Sequence, residues 1–212
     1  MNFKKIVFLL LFITTLVCFS FPQRTPEDIV IQDKLTEQIN ESPRNADLRF
    51  ELAMEYAATG WIELGWDQLK VIPKLQDNYK DVVFEKYNKI IADDPTNWKA
   101  HFRLAFAHYF NKDRDKAIES FKEVLKINPK HEWSMGLIAL ILGEQKKYDD
   151  CISWCKKALR INDDALAVHF LLGKAYYESG NFLGVIGESL SVGRIKSVEA
   201  KYRPIPPKGI DE

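Results

Sequence analysis

The chain has little with which to do chemistry of its own. Three cysteines in 212 residues are too few for a disulfide framework. Cys151 and Cys155 stand one helical turn apart and read as two small apolar residues facing a neighbouring helix. A metal site would need more ligands nearby, and His131 and His169 lie off that helix. No glycine-rich phosphate loop follows a strand pattern, and no Gly-x-Ser-x-Gly elbow occurs. His101 and His108, seven apart on one helical stretch, read as structural histidines. The acidic pairs Asp93-Asp94, Asp149-Asp150 and Asp163-Asp164 sit at helix ends, where capping and the helix dipole account for them. No catalytic residue, cofactor or metal is expected. Charge of one sign is missing too: 30 basic residues balance 30 acidic ones. The basic excess of an electrostatic nucleic-acid binder is therefore absent.

A long apolar run stands at the N-terminus. Lys4 and Lys5 precede Ile6 to Ile13 and Leu16 to Phe19, a basic segment followed by an apolar one, as in a secretory signal. Three readings stay open: a signal cleaved after Ser20, an uncleaved membrane anchor over residues 1–21, or a lipoprotein signal with Cys18 modified. The run is a little short for a comfortable span of about 20 residues. Each reading places the rest of the chain outside the cytoplasm, at a bacterial periplasm or cell surface.

What is plentiful is periodicity. Leu104, Ile138 and Leu172 are each 34 residues apart, as are Ala105, Ala139 and Gly173. Ala117, Cys151 and Val185 repeat the spacing, and so do Ile118, Ile152 and Ile186. A fixed period of this length, with apolar and small residues in constant slots, marks an array of helix pairs. The predicted helices in the phased part are 98–110, 114–127, 132–145, 149–161, 166–179 and 182 to about 194. Gly184 and Gly187 weaken the last, each costing about 1 kcal/mol relative to alanine.

Upstream the phase slips. Helices are expected over 26–41, 46–59, 62–72 and 81–92, with Pro73 disturbing or ending the third because proline lacks an amide donor. The offset from Leu52 to Leu104 is 52 residues, which exceeds one period by about half a repeat, so an extra helix is inserted over 81–92. The expected layout is a signal or anchor over 1–21, a linker and capping helix over 22–45, and an atypical repeat over 46–97. Repeat units follow over 98–131, 132–165 and 166–198, with a disordered or extended tail over 199–212.

These residues resemble the tetratricopeptide repeat. Leu104-Ala105, Ala117, Phe121 and Pro129 fit one unit, Ile138-Ala139, Tyr148, Cys151 and Ala158 the next, and Leu172-Gly173, Tyr176 and Gly180 the third. Leu52-Ala53, Tyr56 and Gly60 fit half of an earlier one, while Pro73, the inserted helix and Asp163 depart from the pattern. The resemblance implies an all-α fold, a right-handed superhelical solenoid of stacked antiparallel helix pairs, with first helices lining a concave groove. Its implied activity is binding a protein or peptide partner.

Projection at 100° per residue puts Leu104, Ala105 and His108 on one face of the 98–110 helix. Lys99, Phe102, Arg103, Phe106 and Phe110 fall on the other. If the first face is core, the second is the groove, which continues through Trp133 and Leu137 to Phe170, Lys174 and Tyr177. Packing against neighbouring helices is the competing reading for each. Lys99 and Arg103 match the family's carboxylate-gripping slots, but the other slots hold Phe50 and Met54, so a full clamp is not expected. The expected function is an adaptor of the cell envelope; a chaperone-like holder of apolar chains and an enzyme or small-ligand binder are the alternatives.

Overall fold

The computed structural model describes residues 26–59, 61–196 and 204–210. The N-terminal apolar run lies outside them. The described residues form ten helices and no strand: α1 Pro26–Glu41, α2 Ala46–Ala58, α3 Ile62–Leu75, α4 Tyr79–Asp93, α5 Trp98–Phe110, α6 Arg114–Ile127, α7 Glu132–Glu144, α8 Tyr148–Leu159, α9 Leu166–Glu178 and α10 Phe182–Lys196. The pairs α2/α3, α5/α6, α7/α8 and α9/α10 pack internally, and from α5 onward each pair stacks on the next. The result is an all-α solenoid. No described helix is long and apolar enough to cross a membrane.

The period reaches the backbone itself. Lys112, Lys146 and Gly180 all have positive φ, at 64°, 61° and 80°, and they too are 34 residues apart. Each ends the first helix of a pair. In all three turns the next residue's N–H donates five residues back: Asp113 to the His108 carbonyl, Lys147 to Leu142 and Asn181 to Tyr176, at 2.8 to 3.0 Å. This is the left-handed cap that satisfies the last carbonyls of a helix and reverses the chain tightly.

Repeats of this kind bury their apolar faces only by stacking. Ala105, Ala117, Phe121, Val124, Ile138, Ala139, Cys151 and Cys155 are fully buried in one continuous core. The two thiols are free. A smaller cluster of Ile39, Leu52, Tyr56, Trp61 and Leu64 seats α1 on the first pair. Gln32 crosses the same seam, donating to Thr59 Oγ1 at 2.7 Å.

The inserted helix is present as α4, two residues longer at its start than expected. Pro73 does not end α3 at once; it sits in the last turn, and the helix stops at Leu75. α4 wedges between α2 and α5: Tyr79 and Tyr87 pack on Phe50 with ring centroids 5.8 and 6.0 Å apart, and Phe84 packs on His108 at 4.8 Å. The tail takes the extended alternative over its described residues. Residues 204–210 are extended, but they are not free: Pro204 is buried and Lys208 bonds to α1 and α2.

Gly184 is fixed by packing rather than by helix propensity. A Cβ there would lie 2.5 Å from the Tyr176 ring, whereas one at Gly187 would meet open space. Gly187→Ala is therefore expected to raise the unfolding free energy by roughly 0.5–1 kcal/mol, the helix-propensity gain. Gly184→Ala should lower it despite the same gain, by about 1–3 kcal/mol from overpacking. Urea denaturation of both variants reads the contrast.

Candidate functional site

Five segments converge on one cavity of about 290 Å³. α1 contributes Glu27, Asp28 and Ile31; α2 contributes Met54, Glu55, Ala58 and Thr59. From α5 come Trp98, Lys99, Phe102 and Arg103, from the start of α7 His131, Glu132 and Trp133, and from the turn before α9 Asn162. Of the ten residues expected in a groove, Lys99, Phe102, Arg103 and Trp133 are brought together here. Phe106, Phe110, Leu137, Phe170, Lys174 and Tyr177 do not line this cavity.

Burial does not follow that split; residues on both sides of it are closed off. Phe102 is 1% exposed, Phe106 6%, Trp133 7% and Leu137 4%. The open concave wall inferred from the helix projection is thus largely closed, because a first helix here is covered by its own partner and by its neighbours. Phe102 packs edge-on against Phe121 at 5.7 Å and lies 6.1 Å from Phe106. Phe110 is half-buried against Trp66 of α3, 5.7 Å away. Lys99 remains exposed, its Nζ 5.8 Å from the Trp98 ring centre. Phe170 and Lys174 are exposed and Tyr177 is half-buried, further along the array.

The cavity wall is held by short-range geometry. Asn97 caps α5, its side chain accepting from the Ala100 N–H at 3.0 Å. His131 caps α7 in the same way: Nδ1 accepts from the Ser134 N–H at 3.2 Å and lies 2.8 Å from Ser134 Oγ. With Nδ1 the acceptor, the neutral ring carries its proton on Nε2. The imidazole is 8% exposed, packed 4.8 Å from Trp98 and 5.1 Å from Phe102. Burial pushes its pKa down to about 4.

That shift has a sign that can be tested. The folded pKa lies below the unfolded value of about 6.5. Above pH 6.5 both states hold a neutral ring, so nothing is lost. Between pH 6.5 and 4 the unfolded chain takes up a proton that the folded one refuses, so stability falls as pH falls. The expected loss is about 2 kcal/mol between pH 7.5 and 5. His131→Asn keeps a capping acceptor and should flatten that part of a stability-against-pH curve from denaturant titrations.

Arg103 is not available as the groove cation. Its Nε bonds to Glu51 Oε2 and its Nη2 to Glu55 Oε1, both at 2.7 Å. Glu51 also receives Lys86 Nζ at 3.2 Å and the Tyr87 hydroxyl. Asp47 accepts from Tyr79 at 2.6 Å and from Lys86 at 3.3 Å. Asp47, Glu51 and Glu55, spaced four apart on α2, thus form one stripe read by α4 and α5 together. Burial raises the Glu51 carboxyl, but the Arg103 charge, the bonds from Tyr87 and Arg103 and the Lys86 charge outweigh it, and the group sits below the ordinary carboxylate range. Burial likewise opposes the Arg103 charge, and Glu51 and Glu55 outweigh it, so its pKa is raised.

The carboxylate-gripping role is therefore taken up internally. The cavity keeps an aromatic floor of Trp98, Phe102, His131 and Trp133. Its rim carries Glu27, Asp28 and Glu132 against Lys99. Glu55, Thr59, Trp98 and His131 were not expected here; the spacing of four from Asp47 to Glu55 was the one visible signal. Among the described residues, no group of three or more His, Cys, Asp or Glu could hold a metal ion.

The comparisons agree with this architecture. Residues 98–131 and 134–164 match family models described as tetratricopeptide repeat. A stretch of 78 residues, 37% of this chain, is 28% identical to stress-induced-phosphoprotein 1 of Caenorhabditis elegans; it spans 24% of that protein. A crystal structure of MamA superposes with a TM-score of 0.54 at 16% identity, over 81% of this chain and 90% of that one. The structure of Pseudomonas aeruginosa pilF does so at 0.51 and 18% identity, over 76% and 65%. The chain therefore carries tetratricopeptide repeats, over 98–131 and 134–164, within a solenoid of the fold seen in MamA and pilF.

Proposed function

We propose that the chain is a non-catalytic protein-interaction scaffold that holds a segment of a partner protein in the cavity between α1, α2, α5 and α7. The observation that carries this reading is the cavity itself, about 290 Å³ between four packed helices, lined by aromatic and by charged side chains. Buried aromatic pockets ringed by polar groups are where peptide anchors bind with most effect. The rim presents Glu27 and Glu132 against Lys99, with Arg103 already neutralised. It favours a segment with an apolar anchor beside a basic residue over one ending in a free carboxylate.

The setting we propose is the cell envelope, with residues 1–21 directing export or anchoring the chain. The basic and apolar composition of that run supports this. A washed-membrane test separates the two modes: an anchored chain stays with membranes in high salt, a cleaved one is released. Retention in the cytosol overturns export.

A photo-crosslinking residue at Lys99, in the cavity, and another at Lys122, on the exposed side of α6, test the binding role. The scaffold reading expects one partner, captured from position 99 and not from 122. The same products from both positions, or many unrelated ones, would overturn it, the latter in favour of a chaperone.

A further inference from the structure

We infer that the α1–α2 turn, with Asn40, Arg49 and Gln68, is a docking site for an extended proline-containing segment, and that residues 204–210 of the same chain are its occupant. The contact is made to the main chain of one residue from both sides. The Lys208 N–H donates to Asn40 Oδ1 at 2.9 Å, and its carbonyl accepts from Arg49 Nη2 at 3.0 Å. Recognition of this kind reads an extended backbone rather than a side chain.

Arg49 is built for that contact. It is 2% exposed, and each of its three bonds goes to a neutral acceptor: Nε to the Pro43 carbonyl at 2.8 Å, Nη1 to Gln68 Oε1 at 2.7 Å, and Nη2 to Lys208. Two of these acceptors are local to the first helix pair. The third comes from 159 residues away. Without the tail, one arm of the guanidinium exchanges this acceptor for solvent, so the contact is one charge-assisted hydrogen bond.

The segment suits the site. Pro204, Pro206 and Pro207 fix φ near the extended value before docking, so little chain entropy is lost on binding. They also carry no N–H that would need a partner. The one donor used, Lys208 N–H, follows them directly. Pro204 is buried while Ile205 beside it is 83% exposed, so one side of the segment faces the protein.

The occupant belongs to the same chain. Eight peptide links join Lys196, the last residue of α10, to Pro204, a reach of at most about 28 Å. The structure seats the chain's own segment in the site, and the dependence on protein concentration distinguishes it from a second copy. Docking thus ties the last helix to the first pair. A partner that spreads the array would have to weaken this contact, and the contact would weaken that partner by the same factor.

Hydrogen exchange on the full chain tests this, beside a chain ending at Arg203 and the variants Lys208→Pro, Lys208→Ala and Asn40→Ala. Amides at the C-terminal end of α1 and the start of α2 should exchange about tenfold faster in the truncated chain, with α7 and α8 unchanged. Lys208→Pro removes the N–H together with the lysine side chain and should give most of that increase, as should Asn40→Ala, whereas Lys208→Ala, which keeps the N–H, should not. A synthetic peptide of residues 204–212 at millimolar concentration should restore protection to the truncated chain. Equal exchange in full and truncated chains, or an unchanged Lys208→Pro variant, overturns the inference. So does protection that appears only as protein concentration rises, which would assign the site to a second copy.

Discussion

Arg103→Ala lowers the unfolding free energy by about 3 kcal/mol, the low end of the range for breaking a buried ion pair. The low end applies because the three side chains keep some solvent contact: Arg103 is 14% exposed, Glu51 23% and Glu55 12%. The loss is not the worth of two ion pairs, most of which goes to desolvation. It is the cost of leaving two carboxylates in place with their main counter-ion gone. Lys86 and Tyr87 still serve Glu51, but they touch Glu51 and not Glu55. Arg103→Ala combined with Glu55→Gln should therefore recover part of the loss, and a double-mutant cycle isolates the coupling. The pH dependence adds a check. The folded Glu51 pKa is depressed, so its contribution is present above the unfolded value of about 4.3 and lost as pH falls through the folded one. The gap between wild type and Arg103→Ala should narrow on acidification below about pH 4.

Phe102→Ala costs about 3–5 kcal/mol, the range for removing a buried phenylalanine. The ring is 1% exposed and touches Phe106, Phe121 and His131, so its loss leaves a void between α5, α6 and α7. Lys99→Ala, on the same helix but exposed, should change stability by less than about 0.5 kcal/mol. Denaturant unfolding of the two variants measures how much of the α5 inner wall is core. Similar small effects would return Phe102 to an open groove.

The regular part of the fold was readable because its signal is local and repeated. Leu104, Ala105, Ala117 and Phe121 recur in phase, and the repeat models cover 98–131 and 134–164. The offset from Leu52 to Leu104 announced α4, but not its place, since Phe50 meeting Tyr79 and Tyr87 depends on how three helices cross. The same limit applies to the groove residues, for which packing was the competing reading. A helix projection yields two faces and cannot say that both are covered, as happens for Phe102, Phe106 and Leu137. Asp47, Glu51 and Glu55 were visible as a stripe, yet their partners Lys86 and Arg103 lie on other helices. Three prolines in a short stretch point to an extended tail but not to where it docks. The acceptor that Arg49 takes from Lys208 is invisible to any local pattern.

The cavity as partner site is the centre of the account. Its most direct measurement is the affinity of the partner segment captured from position 99 for the full chain and for Glu132→Lys and Lys122→Glu. Loss of tenfold or more for Glu132→Lys, with Lys122→Glu unchanged, is the expected result; equal affinity for all three would contradict it.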